Sequence, residues 1–293
     1  MTPSISAVVH TLNEERNLPF ALRSVRPWVD DIVVVDMASG DGTTAVARAF
    51  GARVFSHERL GFVEPARESG VAKARGDWVL VLDADELVLE PLSRRLRALA
   101  AADEADVVRV PRLNYLLGGP LEHSGWNPAR DLQARFFKPG ALRMSPLVHG
   151  QPEARPEARR LDLPVEPGLA IAHFNYLDTT HFLHKLDVYS GLEAAQAASR
   201  GEAPGAARAL YRAGREWLAR YVRHRGFADG WRGLSLSLLM AAYHVAVYAK
   251  QCELRDVGPR AEAVRRYREE AERLLAAYGP PGEDPRPGEG GAR

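Results

Sequence analysis

Val79-Leu80-Val81-Leu82-Asp83-Ala84-Asp85-Glu86 is an aliphatic run that ends in three carboxylates. With Trp78 in front, the five apolar residues 78–82 predict a strand covered on both faces. Carboxylates left unpaired at the end of such a strand would be costly. Strand alternation places Asp83 and Asp85 on one side if the extended backbone continues. Two carboxylates on one side suit a hard divalent cation, Mg²⁺ or Mn²⁺, that in turn binds a diphosphate. The same residues also suit a helix start, with Asp85-Glu86 capping a helix from Leu87. Spacing alone leaves both readings open, and the position after a central strand favours the ligand site.

Working outward, strand and helix signals alternate. Residues 5–10 and 32–35 form short β-branched or aliphatic runs, and 53–55 form another strand. Helical spacing covers 14–25, 43–50 and 65–75. This rhythm predicts an α/β fold with a parallel sheet and right-handed crossovers. Ligands in such sheets sit at the carboxyl ends of the strands. Three strands end in polar clusters that would converge there: Thr11-Leu12-Asn13-Glu14-Glu15, Asp36 with Ser39-Gly40-Asp41-Gly42-Thr43, and Asp83-Ala84-Asp85-Glu86. Helix capping by Thr11, Asn13, Asp41 or Thr43 accounts for each cluster in isolation; their convergence favours a ligand site. Neither a dinucleotide fingerprint nor a P-loop is present.

Further strands are expected at 106–110 and 134–137, while residues 114–167 are rich in Gly and Pro. After about residue 179 the character turns helical, over 180–198, 206–224, 233–251 and 259–277. We therefore expect an α/β domain over 1–178, a helical region over 179–278 and a disordered tail over 279–293. The 39 Lys and Arg against 38 Asp and Glu give a net charge of +1, which offers no general attraction to nucleic acid. Cys252 is the one cysteine, so neither an intramolecular disulfide nor a cysteine-based zinc cluster forms. No signal peptide is expected, and the apolar stretch 234–249 is short for a membrane span. A cytoplasmic protein is expected.

The ordered motifs resemble the inverting family 2 glycosyltransferases with a GT-A fold. The resemblance rests on Thr11-Leu12-Asn13-Glu14-Glu15, Val34-Val35-Asp36 with Ser39 to Thr43, Ala66-Arg67, and Leu82 to Glu86. Within that family the chain is similar to the branch containing lipopolysaccharide core β-1,4-glucosyltransferases. Asp131 to Lys138, Val148-His149, Ala172-His173-Phe174 and Gly226 to Gly233 carry that part of the likeness. The resemblance covers roughly residues 4–250 and departs at His149-Gly150, where the branch has His-Glu. It implies that Thr11, Asn13, Glu14 and Asp36 line a nucleoside pocket and that Arg67 approaches the base or diphosphate. It further implies that Asp83 binds ribose, Asp85 holds a Mn²⁺ or Mg²⁺, and His149 completes the metal shell. The donor implied is a nucleotide sugar, a UDP-sugar by default, and the acceptor a glycan or lipid-linked molecule.

Inversion needs a base that deprotonates the acceptor hydroxyl. Asp131 is the expected base, beyond the donor half and anchored by the strand-like 134–137; a salt bridge to Arg130 or Arg135 is its structural alternative. Glu122 is the second candidate. Aromatic and basic residues from Trp217 to Arg225 suit an anionic lipid-linked acceptor or peripheral contact with a membrane. The same helices offer a surface for a homodimer. Two other classes compete. A haloacid dehalogenase-type phosphatase also uses Asp-x-Asp, but at the chain's start. A sugar nucleotidyltransferase needs a Gly-rich basic loop where Thr11 to Glu14 stands. A transferase site decayed into a binding or scaffold module is the remaining alternative.

Overall fold

The computed structural model describes residues 2–59, 63–144 and 152–276. The first half winds strands β1 (Ile5–Thr11), β2 (Asp31–Asp36), β3 (Arg53–Ser56) and β4 (Trp78–Asp83) around helices α1 (Leu18–Val25), α2 (Thr43–Ala49) and α3 (Glu64–Val71). Then come β5 (Glu86–Val88), α4 (Glu90–Ala102), β6 (Val107–Leu116), β7 (Gly119–Pro120) and β8 (Leu132–Phe137). Short strands β9 (Leu142–Arg143), β10 (Glu153–Ala154) and β11 (Arg160–Asp162) precede β12 (Ile171–Tyr176). Helices α5 (Thr179–Ser199), α6 (Ala206–Trp217), α7 (Gly230–Asp256) and α8 (Arg260–Leu275) follow.

The main sheet runs β3-β2-β1-β4-β8-β6-β12-β5. Its first four strands are parallel, and β8 enters antiparallel between β4 and β6. This is the expected α/β, GT-A-type arrangement, a mostly parallel sheet flanked by helices with a helical C-terminal region. Among the described residues no helix is long and apolar enough to cross a membrane.

Strand parity sorts the side chains into two cores. Ile5, Ala7 and Val9 of β1 and Leu80 and Leu82 of β4 pack with α1 and α4. Val8, Val79 and Val81 face the other way, with Ala66 of α3. Trp78 stacks on Phe136 at 4.6 Å between ring centroids and fastens β8 to β4. Parity then decides where the polar ends point. His10 and Asp83, cross-strand partners in the register, continue the α3 face. Thr11 and Asp36, also paired, continue the α1 face.

Several boundaries differ from expectation. Helix α1 starts at Leu18, since the backbone N–H groups of Glu14 and Glu15 donate instead to Thr43 Oγ1 and Asp41 Oδ2. Beyond Ala206–Trp217 the helix widens into a π turn over Leu218–Arg223. No helix starts at Asp85-Glu86: β4 ends at Asp83, Ala84 and Asp85 turn, and Glu86 opens β5. The extended backbone assumed for Asp83 and Asp85 is therefore interrupted by that turn.

Gly70 allows α3 to lie close on the sheet. A Cβ there would stand 2.7 Å from Val8 Cγ1 and 2.9 Å from His10 Nε2. Gly70→Ala must displace α3, and overpacking of this kind costs about 1–3 kcal/mol. Urea denaturation is expected to show a loss of that size; an unchanged midpoint would mean that α3 has room to spare.

Candidate active site

A cleft of about 560 Å³ opens on the α3 side of the sheet at the carboxyl ends of β1 and β4. Its wall includes His10, Glu14, Arg67, Asp83, Asp85, Arg112, Asp131 and His173, with Lys185 and Tyr189 contributed by α5. The sheet ends thus do converge on one cavity, and α5 closes it.

The floor is a buried charge network. Arg135 is 4% exposed and donates through Nη2 to Asp83 Oδ2 and to Glu86 Oε1, each at 2.7 Å. Arg67 Nη2 reaches Asp83 Oδ1 at 3.1 Å from α3, the face on which parity places Asp83. Glu86 is fully buried; it also accepts the Asp83 backbone N–H at 2.9 Å and Arg112 Nη1 at 3.3 Å. Burial would raise the Asp83 carboxyl, but the Arg135 and Arg67 guanidiniums hold it well below the usual carboxylate range. Asp83 is therefore a fixed anion tied to two arginines. His10 lies beside it, and neither of its buried ring nitrogens meets a hydrogen-bond partner of good geometry among the described residues. Burial, reinforced by the charge of Arg67, pushes that imidazole down to about 3, so it is neutral at physiological pH.

Asp85 sits in a different setting. The carboxylate Oδ2 faces His173 Nε2 at 3.6 Å. Burial pulls its pKa upward, and the hydrogen bond and charge of His173 bring it below the ordinary value. His173 is carried on β12, between β6 and β5, and is held from behind. Asn114 Nδ2 donates to Trp126 O at 2.8 Å and to Asp131 Oδ2 at 2.6 Å. That leaves Asn114 Oδ1 to accept His173 Nδ1–H at 2.6 Å. When the imidazole is protonated its Nε2–H donates to the Asp85 carboxylate; in the neutral tautomer with the proton on Nδ1 the Nε2 lone pair faces that carboxylate instead, and a divalent cation could take the place of the proton. Asp85 and His173 therefore fit a metal. Among the described residues no group of three acidic, His or Cys side chains is placed to hold a metal ion.

Asp131 precedes β8, as expected, and is 8% exposed. The partner of its carboxylate is neither Arg130 nor Arg135. Arg112 Nε donates to Oδ2 at 2.8 Å alongside Asn114, and Gln133 Nε2 donates to Oδ1 at 2.6 Å. Burial opposes ionisation, yet Arg112 and the hydrogen bonds from Asn114 and Gln133 keep the group below its ordinary pKa. Glu14 behaves in the opposite way: burial raises its carboxyl.

Other sequence candidates fall elsewhere. Thr11 and Asp36, expected to line the nucleoside pocket, are buried and are not among the residues lining this cleft. The Thr11 hydroxyl donates to Asp36 Oδ1 at 3.2 Å, and the Ser39 N–H donates to Asp36 Oδ2 at 3.1 Å. Asn13 ties the two loops, its Oδ1 accepting the Gly40 N–H at 2.8 Å. Asn13 and Ala38 hold left-handed backbone, φ 57° and 59°, at the strand ends where these loops meet. Leu12, Glu14 and Met37 form the wall that these contacts support. Glu122 is exposed and away from the cleft, where its N–H donates to Asp229. His149 lies outside the described residues. Sequence reasoning assigned no role to His173, Arg112, Arg135 or Lys185. For His173 and Arg135 the signal was their place in Ala172-His173-Phe174 and in Asp131 to Lys138; Arg112 and Lys185 stand in no motif.

Comparison with known proteins follows this geometry. Residues 6–151 match the family model described as Glycosyl transferase family 2. A protein named as an uncharacterized glycosyltransferase of Rickettsia bellii is 24% identical over 259 residues, 87% of this chain and 88% of its own. The lipopolysaccharide core biosynthesis glycosyltransferase LpsC of Rhizobium meliloti is 26% identical over 253 residues, 84% of this chain and 91% of its own. Among solved structures, glucosyl-3-phosphoglycerate synthase of Mycobacterium tuberculosis, in complex with Mn²⁺, UDP-glucose and phosphoglyceric acid, is 29% identical with a TM-score of 0.32. That match covers 38% of this chain and 44% of the synthase.

Arg135→Met would leave Glu86 buried without its closest cation. Removing one partner of a buried pair costs about 3–5 kcal/mol. Chemical denaturation should register a loss of that order; a loss below about 1 kcal/mol would mean that Arg112 alone satisfies Glu86.

Proposed function

We propose that this chain, whose residues 6–151 match the family model described as Glycosyl transferase family 2, transfers a hexose from a UDP-sugar to a glycan or lipid-linked acceptor, with inversion. The observation that carries this reading is the facing of Asp85 Oδ2 and His173 Nε2 at 3.6 Å. These two side chains would hold a Mn²⁺ or Mg²⁺, with His173 taking the place expected of His149. Such an ion supplies charge neutralisation for the departing diphosphate. The chain's own cations add to that neutralisation, since Arg67 and Lys185 lie on the cleft wall beside the acids. The nucleoside end is assigned to Leu12, Glu14 and Met37, positioned by Asn13 and Asp36. Asp83 is assigned the ribose, held rigid by its two arginines. Catalysis is placed in residues 1–178, with Lys185 and Tyr189 of the following helical region completing the wall. The lipopolysaccharide core role of the Rhizobium relative favours a glycan or lipid-linked acceptor.

The base is assigned to Asp131. Among the described residues four carboxylates line the cleft: Glu14, Asp83, Asp85 and Asp131. Asp83 is bound by two arginines, Asp85 faces the metal position, and Glu14 lies at the nucleoside end. Asp131 Oδ2 is held by Arg112 and Asn114, whereas Oδ1 has the single donor Gln133 and retains capacity to accept a proton. Acceptor deprotonation there accompanies attack on the anomeric carbon from the face opposite the leaving diphosphate.

Asp85→Asn and His173→Ala should each weaken Mn²⁺-dependent UDP-glucose binding by about tenfold or more in titration calorimetry, on the scale at which metal sites respond to lost contacts. Unchanged affinity and metal response in both would remove the assignment. Asp131→Asn should reduce turnover by roughly 100-fold with donor affinity little altered. Because the folded-state pKa of Asp131 is depressed, its basic form persists below the ordinary value of about 3.9, and turnover should show no limb from this group between about pH 5 and 7. Near-normal turnover in Asp131→Asn would move the base elsewhere.

A further inference from the structure

Helix α6 and the start of α7 present an outward face that is the reverse of an ordinary soluble helix. Tyr211, Leu218 and Val222, spaced by seven and four residues, share one side and are all exposed. In α7 the exposed residues Trp231, Leu234, Leu238 and Val245 repeat at helical spacing. Between the two helices Phe227 is 52% exposed on a 3₁₀ turn, Gly226–Asp229. Val222, Phe227 and Trp231 thus lie within ten residues of one another at one corner. Exposed large apolar side chains gathered along neighbouring elements in this way point to an interaction site.

The charge around that corner is one-sided. From Gly205 to Arg232 the sequence has seven arginines and two acidic residues. Both acids are already engaged: Glu216 pairs with Arg220 at 2.6 Å, and Asp229 accepts the N–H groups of Glu122 and His123. Arg208, Arg212, Arg215, Arg223 and Arg225 make no ion pair among the described residues. Apolar anchors flanked by unpaired arginines complement an anionic lipid surface, where the rings and aliphatic chains enter the interface and the guanidiniums meet phosphates. The corner is also joined to the cleft. Arg220 lies over the Trp126 ring at 5.1 Å and donates to Ser124 O at 3.1 Å, and Trp126 lines the cavity.

We propose that the α6–α7 corner, with Leu218, Val222, Phe227 and Trp231 as anchors and Arg215, Arg223 and Arg225 as headgroup contacts, docks the protein peripherally on an anionic bilayer. Docking there brings the cleft to the lipid surface, and it stands independently of what the cleft transfers.

The test is co-sedimentation of the full chain with phosphatidylcholine vesicles, with and without about one-third phosphatidylglycerol. The expected result is binding at least about tenfold stronger to the anionic vesicles and weakened by added salt. Phe227→Ser with Trp231→Ser should abolish most of that binding. Arg223→Glu with Arg225→Glu should reduce it by at least about fivefold per residue. Both variants should keep the parent's melting temperature and UDP affinity, because none of these four side chains lines the cleft. Equal binding to neutral and anionic vesicles, or undiminished binding in both variants, overturns the proposal. So does a dimer in analytical ultracentrifugation that the Phe227→Ser, Trp231→Ser variant dissociates while vesicles remain unbound; a second copy would then cover this face.

Discussion

Burying Arg135 between Glu86 and Asp83 is the constraint on which the site depends. An isolated guanidinium at that depth would be prohibitively costly, and so would a fully buried Glu86. Together they are satisfied, and the network fixes its neighbours in turn. Glu86 takes the Asp83 backbone N–H, which sets the turn at Ala84-Asp85. That turn is what separates two similar carboxylates into different environments, Asp83 against Arg67 and Arg135, Asp85 against His173. The Arg112 side chain extends the network from Glu86 to Asp131, and Asn114 extends it to His173. Asp83, Asp85 with His173, and Asp131 are thus mechanically one unit.

Much of this was legible in the chain. Apolar or β-branched runs ending in polar clusters marked β1, β2 and β4, and the expected convergence of those ends pointed to a ligand site. The limit of that reading was parity. Thr11 and Asp36 stand at strand ends like His10 and Asp83, but one step of alternation sends the first pair toward α1 and the second toward α3 and the cavity. The polar character of a strand end is visible in a sequence. Which side of the sheet holds the cavity depends on where α3, β12 and α5 pack.

The remaining partners were hidden for a related reason. His173, Asn114 and Arg135 come from β12, β6 and β8, whose adjacency to one another and to β5 arises from non-local pairing within a Gly- and Pro-rich stretch. No local periodicity reports that β12 inserts between β6 and β5. Once it does, the register places His173 opposite both Asn114 and Glu86, and a histidine to which the sequence alone gave no role becomes the group facing Asp85. The helical character of 206–224 and 233–251 was likewise read from the chain, but which of their apolar residues stay exposed is decided by the packing.

The central claim is that Asp85 and His173 share one cation. Pulsed electron paramagnetic resonance of the chain with Mn²⁺ and UDP reads directly whether an imidazole nitrogen is bound to the metal. The account predicts one such nitrogen coupling in the parent chain and none in His173→Ala. A Mn²⁺–UDP complex with no imidazole coupling, or one whose coupling survives His173→Ala, would contradict it.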